Sequence, residues 1–334
     1  MKQASHMIFG TGLTGSYLAG CFTQRKIKLT LVGRESSKHL LNQGVLVSDY
    51  LGNQYQSHQA LSFINADDKQ TIDFVWLTVK CTSINHVLEP LKSYISQNTT
   101  IICCQNGFGS DDIVQQAFPN NQVISGIVGF NVVHKSDNHW HRSTEGVLVV
   151  EHCDKTQNFT DTLSSALLPV RVSSDIEAER WAKLQLNLAN AINALADIPV
   201  KAMTEQRHFR LIIAHLMQEL LAVTQRLNLE LPKVAAVHGK MLPTILKLPD
   251  FIFTRIAQKM LAIDPQARTS MWHDLHNQRP TEIDFLNGAV SEQAKKLGLE
   301  SPINNAVIRL IKSIERGEQT IGFSAKELQY KLGL

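Results

Sequence analysis

Two patterns of apolar and polar positions divide the chain. The first half carries short apolar runs bounded by glycine or polar turns, at 6–9 (HMIF), 28–32, 73–79 (DFVWLTV), 100–104, 123–133, 146–150 and 170–173. Each is strand length. Their continuous apolar character predicts a parallel sheet covered by helices on both faces. Helical segments alternate with them at 12–24, 83–95 despite Pro90, 111–117 and 162–168. Shorter strand pieces at 45–50 and 55–64 flank Gly52-Asn53 and predict an excursion beside the main sheet. A polar stretch from His134 to Glu145 reads as a loop.

From Asp175 onward the period changes to that of a helix. Helical patterns cover 175–196, 201–227, 230–247, 249–264 and 302–314, and the tail after them is locally polar and reads as mobile. The fold class expected is therefore α/β: a domain over 1–173 that is Rossmann-like in its alternation of strands and helices, then an all-helical domain over 174–334.

The first strand runs directly into GTGLTG. Gly10 permits the tight turn, Gly12 lets the backbone approach a pyrophosphate, and Gly15 lets helix and sheet pack closely. The loop Gly10, Thr11, Gly12, Leu13, Thr14 and Gly15 is the expected cofactor cradle, with the phosphates at the helix N-terminus. The second strand ends at Arg34, a basic residue suited to a 2′-phosphate, so NADPH/NADP+ is favoured over NADH, although Glu35 follows at once. Lys80 ends the 73–79 strand, and Asn106 follows the 100–104 strand within QNGFG. Both fall at the carboxyl edge, where open α/β sheets meet ligands. An exposed strand terminus and an Asx-turn are their structural alternatives.

In DIEAERWAKLQLNLANAINALA, Asp175 stands at an N-cap position ahead of an acidic first turn. Lys183, Asn187 and Asn190, extended by Asn193, form a polar line at helical spacing. Such a line is either a solvated stripe or the wall of a site for an oxygen-rich ligand. Further on, Arg279-Pro280-Thr281-Glu282 reads as a helix opening, with Glu282 in its first turn and Ser270 twelve residues before it.

Composition narrows the choice. The 334 residues are 43% apolar and 19% charged with a net charge of +3, which fits a globular protein and gives no basic surface for nucleic acid. The five cysteines lack metal-ligand spacing and read as reduced thiols, and the thirteen histidines, including His134, His139 and His141, form no metal motif. No leader-like segment or 18-residue apolar span appears, so no membrane role and a cytoplasmic location are expected.

The ordered set GTGLTG (10–15), VK (79–80), QNGFG (105–109), ERWAKLQLN (179–187) and SMW…RPTEID (270–284) resembles the ketopantoate reductase (2-dehydropantoate 2-reductase) family. The resemblance spans nearly the whole chain and is weakest over 225–265. It implies NADPH-dependent reduction of a small 2-oxo acid, 2-dehydropantoate, to pantoate. It further implies Lys183 as catalytic general acid and Glu282 as active-site glutamate. Ser270, Asn106 and Asn187 then lie near substrate, and Arg34 and Lys80 near cofactor. One position departs: many members carry an asparagine eight residues after the lysine, where this chain has Ala191, flanked by Asn190 and Asn193. Asn190 is the expected substitute, or it contacts a different 2-oxo acid. A non-catalytic NADP(H) sensor on the same fold is the other alternative, and the helical domain is compatible with a homodimer.

Overall fold

The computed structural model describes residues 3–64, 71–234, 237–257 and 264–334. It divides into two units, the first ending at Ile176 and the second beginning at Glu177. In chain order the first unit carries β1 (Ser5–Phe9), α1 (Leu13–Gln24), β2 (Lys28–Val32), α2 (Glu35–Leu41), β3 (Val45–Asp49), β4 (Gln54–Ser57) and β5 (Phe74–Leu77). There follow α3 (Ile84–Lys92), β6 (Thr100–Cys103), α4 (Ser110–Ala117), β7 (Gln122–Val128), β8 (Val132–Ser136), β9 (His139–Arg142), β10 (Leu148–Glu151), α5 (Phe159–Leu163) and β11 (Val170–Ser173).

Seven strands form the main sheet in the order β11-β10-β7-β6-β5-β1-β2, parallel from β7 to β2. Side chains alternate across it, as the pleat requires. Met7, Phe9, Val75, Leu77, Ile101 and Cys103 enter one core, whereas Ile8, Trp76 and Ile102 enter the other. Both faces are thus buried, which explains the unbroken apolar runs. From β1 the chain steps outward to β2, and from β5 it steps the opposite way to β6 and β7. The order reverses between β1 and β5, and the crevice outside their carboxyl ends is where sheets of this kind take ligands.

The excursion is a second sheet, β4-β3-β9-β8. Here the loop expected from His134 to Glu145 is corrected: it is largely the β8–β9 hairpin. Its polar residues alternate with Trp140 and Arg142, which are buried, and Arg142 pairs with buried Asp49 at 2.9 Å. His139 and His141 face the other way, each 2.7 Å from Ser48 Oγ. The single strand expected at 123–133 is two strands in two sheets. The helix expected at 162–168 lies earlier, as α5, and α2 was not anticipated.

The second unit contains α6 (Ile176–Asn187, beginning at the boundary), α7 (Ala189–Ala196), α8 (Val200–Glu205), α9 (Arg207–Arg226), the ladder β12 (Lys233–Val234) and β13 (Val237–His238), α10 (Leu242–Leu246) and α11 (Asp250–Ile256). It ends with α12 (Ser270–His276), α13 (Asn287–Lys296), α14 (Pro302–Glu315) and α15 (Ala325–Leu332). Helix α9 is its axis, packed against α7, α8, α10, α13, α14 and α15. Expectations change here, beginning with the 201–227 helix, which breaks at Gln206 into α8 and α9. The 230–247 helix is replaced by the short ladder and α10. The 249–264 segment is α11 in its first part, and 258–263 lie outside the described residues. The helix opening at 280–282 is a separate turn, and α13 starts at Asn287. The tail is not loose: Ser324 and Glu327 form a capping box for α15, which buries Leu328 and Leu332. Among the described residues no helix is long and apolar enough to cross a membrane.

His6 makes the first unit sensitive to acid. It is 4% exposed in β1, and its Nδ1 accepts the Trp76 indole N–H at 3.0 Å. Burial disfavours the imidazolium and lowers the pKa from 6.5 to about 4, against a smaller opposing pull from Asp73. The unfolded chain therefore takes up the proton first. Stability from this group is complete above pH 6.5 and falls by on the order of 3 kcal/mol as the pH drops to 4. Urea midpoints between pH 7 and 4 should show this fall, and it should shrink in His6→Gln, which keeps an acceptor for Trp76. An equal slope in the variant would assign the acid sensitivity elsewhere.

Candidate functional site

The turn between β1 and α1 is built without side chains. Gly10 has φ 111° and donates its N–H to the Val32 carbonyl oxygen at 2.8 Å. A Cβ at Gly15 would stand 2.0 Å from the Gly10 carbonyl oxygen and 2.7 Å from Thr78 Oγ1. The Thr78 hydroxyl donates to that same carbonyl at 2.6 Å, so β1, α1 and the end of β5 meet at one point. Gly12 is different: it is the N-cap of α1, and nothing lies within 4 Å of where its Cβ would be. Helix α1 has no side-chain cap and no acid in its first turn. Its leading amides and the positive end of its dipole therefore suit an anion such as a pyrophosphate. Leu13 and Thr14 follow in that first turn, Leu13 exposed and Thr14 half-buried. Thr11 is buried against Gly33, and its Oγ1 has no hydrogen-bond partner among the described residues.

The remaining first-unit candidates stand after neighbouring strands. Arg34, after β2, is exposed and makes no ion pair among the described residues, because Glu35 lies 4.0 Å from Lys38 instead. Lys80, after β5, is exposed, and Asn106, after β6, is half-buried. The Asn106 carbonyl accepts the Cys81 thiol at 3.2 Å, while its side-chain amide makes no hydrogen bond among the described residues. Strand order thus brings positions 10–15, 34, 80 and 106 to one edge. Gln105 was not singled out, yet its Nε2 joins the ends of β5 and β6 by donating to the Leu77 and Val79 carbonyls at 2.8 and 3.1 Å. An amide at the end of a strand was its only signal.

In the second unit the polar line runs along α6 and α7. The single helix expected over 175–196 is interrupted at Leu188, although Leu188 still donates its N–H to the Leu184 carbonyl at 3.1 Å. Lys183, Asn187 and Asn190 are all half-buried, and the Asn187 and Asn190 amides make no hydrogen bonds among the described residues. Asn193 does not extend that line as an open group. It is fully buried, its Oδ1 accepting from Thr269 N and Oγ1 at 3.0 and 3.1 Å and its Nδ2 donating to the Ile198 carbonyl at 2.7 Å. Thr269 is the N-cap of α12, so this contact brings the start of that helix, Ser270, to α7. Ser270 is exposed, and its hydroxyl has no hydrogen bond among the described residues.

Glu282 is 7% exposed within the turn that precedes α13, and its carbonyl accepts from Phe285 and Leu286 N at 3.0 and 3.1 Å. It is not in a first helical turn, as the pattern had suggested. Thr281 beside it donates from N and Oγ1 to Glu315 Oε1 of α14, at 2.8 and 2.7 Å. That long-range tether fixes the backbone of the turn on which Glu282 stands.

The family model described as "Ketopantoate reductase PanE/ApbA" matches residues 6–155, and its partner, "Ketopantoate reductase PanE/ApbA C terminal", matches 175–315. A 2-dehydropantoate 2-reductase of Archaeoglobus fulgidus is 22% identical over 324 residues, which is 95% of this chain and 100% of that protein. A PanE/ApbA family ketopantoate reductase from Ralstonia eutropha JMP134 has the same fold, with TM-score 0.78, 22% identity and coverage of 94% of this chain and 99% of that one. D-mandelate dehydrogenase, solved with NADH and anilino(oxo)acetate, also shares the fold, with TM-score 0.74, 19% identity and the same two coverages, 94% and 99%.

The glycine geometry separates folding from binding. Gly15→Ala forces a Cβ onto the Gly10 carbonyl and should destabilise the first unit by roughly 2 kcal/mol or more. Gly12→Ala meets open space and should leave the melting temperature near native while weakening dinucleotide binding. Calorimetric melts beside a cofactor titration check both, and equal melting losses in the two variants would contradict the assignment.

Proposed function

The chain belongs to the ketopantoate reductase family, and on that premise we propose that it is an NADPH-dependent reductase of a 2-oxo acid, with 2-dehydropantoate as substrate and pantoate as product. One observation carries the reading. Lys183 and Asn187 at the end of α6 and Asn190 in the first turn of α7 are half-buried, and Asn193 ties the start of α12, with its open Ser270 hydroxyl, to α7. A surface stripe would need no such tether.

The first unit's residues fit the cofactor. Gly12 and the uncapped start of α1 would receive the pyrophosphate, and Arg34 would pair with a 2′-phosphate in a fork that a lysine could not reproduce. Lys80 and Asn106 would bind toward the nicotinamide side. When bound, NADPH supplies the hydride that reaches the ketone carbon.

The second unit supplies polarisation and the proton. Lys183 donates a charge-assisted hydrogen bond to the ketone oxygen and transfers its proton as negative charge develops there, so the product is the neutral alcohol. The Asn187 and Asn190 amides and the Ser270 hydroxyl hold the substrate's carboxylate and hydroxyl without adding fixed charge. Glu282 accepts a hydrogen bond from a substrate hydroxyl or orients the Lys183 ammonium.

A second reading differs only in substrate. Ala191 is fully buried, so the amide expected there is absent and Asn190 stands one residue earlier. D-mandelate dehydrogenase, which shares the fold, was solved with NADH and anilino(oxo)acetate. The reaction class is therefore better supported than 2-dehydropantoate itself.

NADPH absorbance followed with 2-dehydropantoate and a panel of 2-oxo acids tests the proposal. Turnover of 2-dehydropantoate is expected, and turnover of another acid alone would move the substrate. Cofactor binding without any turnover would favour a sensor. Lys183→Ala should lower kcat by roughly 10²–10⁴-fold with NADPH affinity retained. Arg34→Ala should weaken NADPH binding by about 10-fold to 100-fold while changing NADH binding little. Equal losses for both cofactors would remove Arg34 from the 2′-phosphate.

A further inference from the structure

We propose that Asn193 is a positioning residue for Ser270, acting through Thr269 to hold that hydroxyl against α7 beside Asn190. The inference rests on the reading of Asn187, Asn190 and Ser270 as substrate-binding residues.

Asn193 is 0% exposed, so its amide would be costly without partners. Its orientation is determined by what surrounds it. Thr269 N is only a donor, so the atom facing it is Oδ1, at 3.0 Å; the Ile198 carbonyl is only an acceptor, so the atom facing it is Nδ2, at 2.7 Å. The amide cannot turn over without placing like groups together at both ends. Nor can it reach a ligand, since it is enclosed and its oxygen already accepts two hydrogen bonds.

The tether ends on the residue that starts α12. Thr269 Oγ1 donates to Asn193 Oδ1 at 3.1 Å, with the Asn190 carbonyl oxygen 3.3 Å away, and it accepts from Trp272 N at 3.4 Å as the helix cap. A second tie flanks it. Asp197 ends α7 in the left-handed region at φ 52°, and its Oδ1 accepts from Trp272 Nε1 at 2.6 Å and Arg268 Nη1 at 2.9 Å. The Arg268 guanidinium also lies over the Trp272 ring, 4.5 Å from its centroid. From Arg268 to Trp272 every residue is held or half-buried at least, except Ser270, which is exposed. Two ties to α7 therefore bracket one open hydroxyl. Three asparagines of identical chemistry thus divide by environment: Asn187 and Asn190 are left open to a ligand, and Asn193 fixes the second element against them.

A double-mutant cycle on the full chain tests this. Asn193→Ala and Ser270→Ala should each raise KM for the 2-oxo acid about tenfold, with NADPH affinity unchanged. If Asn193 acts through Ser270, the Asn193→Ala/Ser270→Ala double variant should be no worse than Ser270→Ala alone within about twofold. Thr269→Val, nearly isosteric and retaining the backbone bond, should show an intermediate KM and serves if Asn193→Ala does not fold. Losses that multiply in the double variant, or a lower melting temperature with native KM and kcat, would overturn the proposal. Should the native protein turn over no 2-oxo acid, the substrate reading fails by itself. Amide exchange at Trp272 and His273 then decides the tether: faster exchange in Asn193→Ala supports it, and native protection overturns it.

Discussion

The contact between the Gly10 carbonyl and the Cα of Gly15 leaves no room for a side chain, and the first unit is arranged around that closeness. With α1 pressed onto the sheet, the Thr78 hydroxyl at the end of β5 reaches the same carbonyl at 2.6 Å. The start of the helix and the ends of two adjacent strands are thereby locked together at the point where strand order reverses. Once that is fixed, the other candidate residues need only stand at the ends of their own strands: Arg34 on β2, Lys80 on β5 and Asn106 on β6. A backbone constraint thus turns four separated stretches of sequence into one edge, and the positive end of α1 gives that edge its preference for an anion.

The second unit is organised differently, by buried polar groups whose partners lie far away in sequence. Arg210 on α9 is fully buried and donates to the Thr204, Glu205, Leu246 and Leu248 carbonyls while pairing with Asp250. Its guanidinium also lies 4.0 Å from the centroid of the Phe253 ring. Those bonds satisfy carbonyls at the ends of α8 and α10 and in the link to α11, so one arginine gathers three short helices. Glu219, about two and a half turns further along α9, accepts from Ile303 N and Asn304 N and so caps α14. Burying such groups is unfavourable unless every hydrogen-bonding site is met, so each network tolerates few alternative arrangements. The same logic applies at Asn193, where a polar residue serves geometry rather than chemistry.

Much of this was open to reading one segment at a time. Strands β1, β2, β5 and β6, helix α1 and the glycine turn depend on apolar runs of strand length and on residues that alone tolerate their backbone, signals carried within a few positions. The candidate groups at strand ends and the Lys183–Asn187–Asn190 line followed from those periods. Two of the errors share a cause. The β8–β9 hairpin looked like a polar loop because the partner of Arg142 is Asp49, 93 residues earlier. The turn at Glu282 looked like a helix start because Thr281 is held by Glu315, 34 residues later. The α15 capping box was local, and was missed only because the surrounding tail is polar.

The sequence by itself therefore determined the strand–turn–helix order, the glycine cradle, the basic strand end and the spacing of the polar residues from Lys183 to Asn193. All of these are set by dihedral preference and periodicity over one or two turns of chain. Only the tertiary structure decided which polar residues are open and which are bound. Asn187, Asn190 and Asn193 are the same amide on consecutive helical turns, and nothing in their spacing distinguishes them. What separates them is burial and the arrival of Thr269 from 76 residues away, since an amide's role depends on whether protein groups or solvent meet its donors and acceptors.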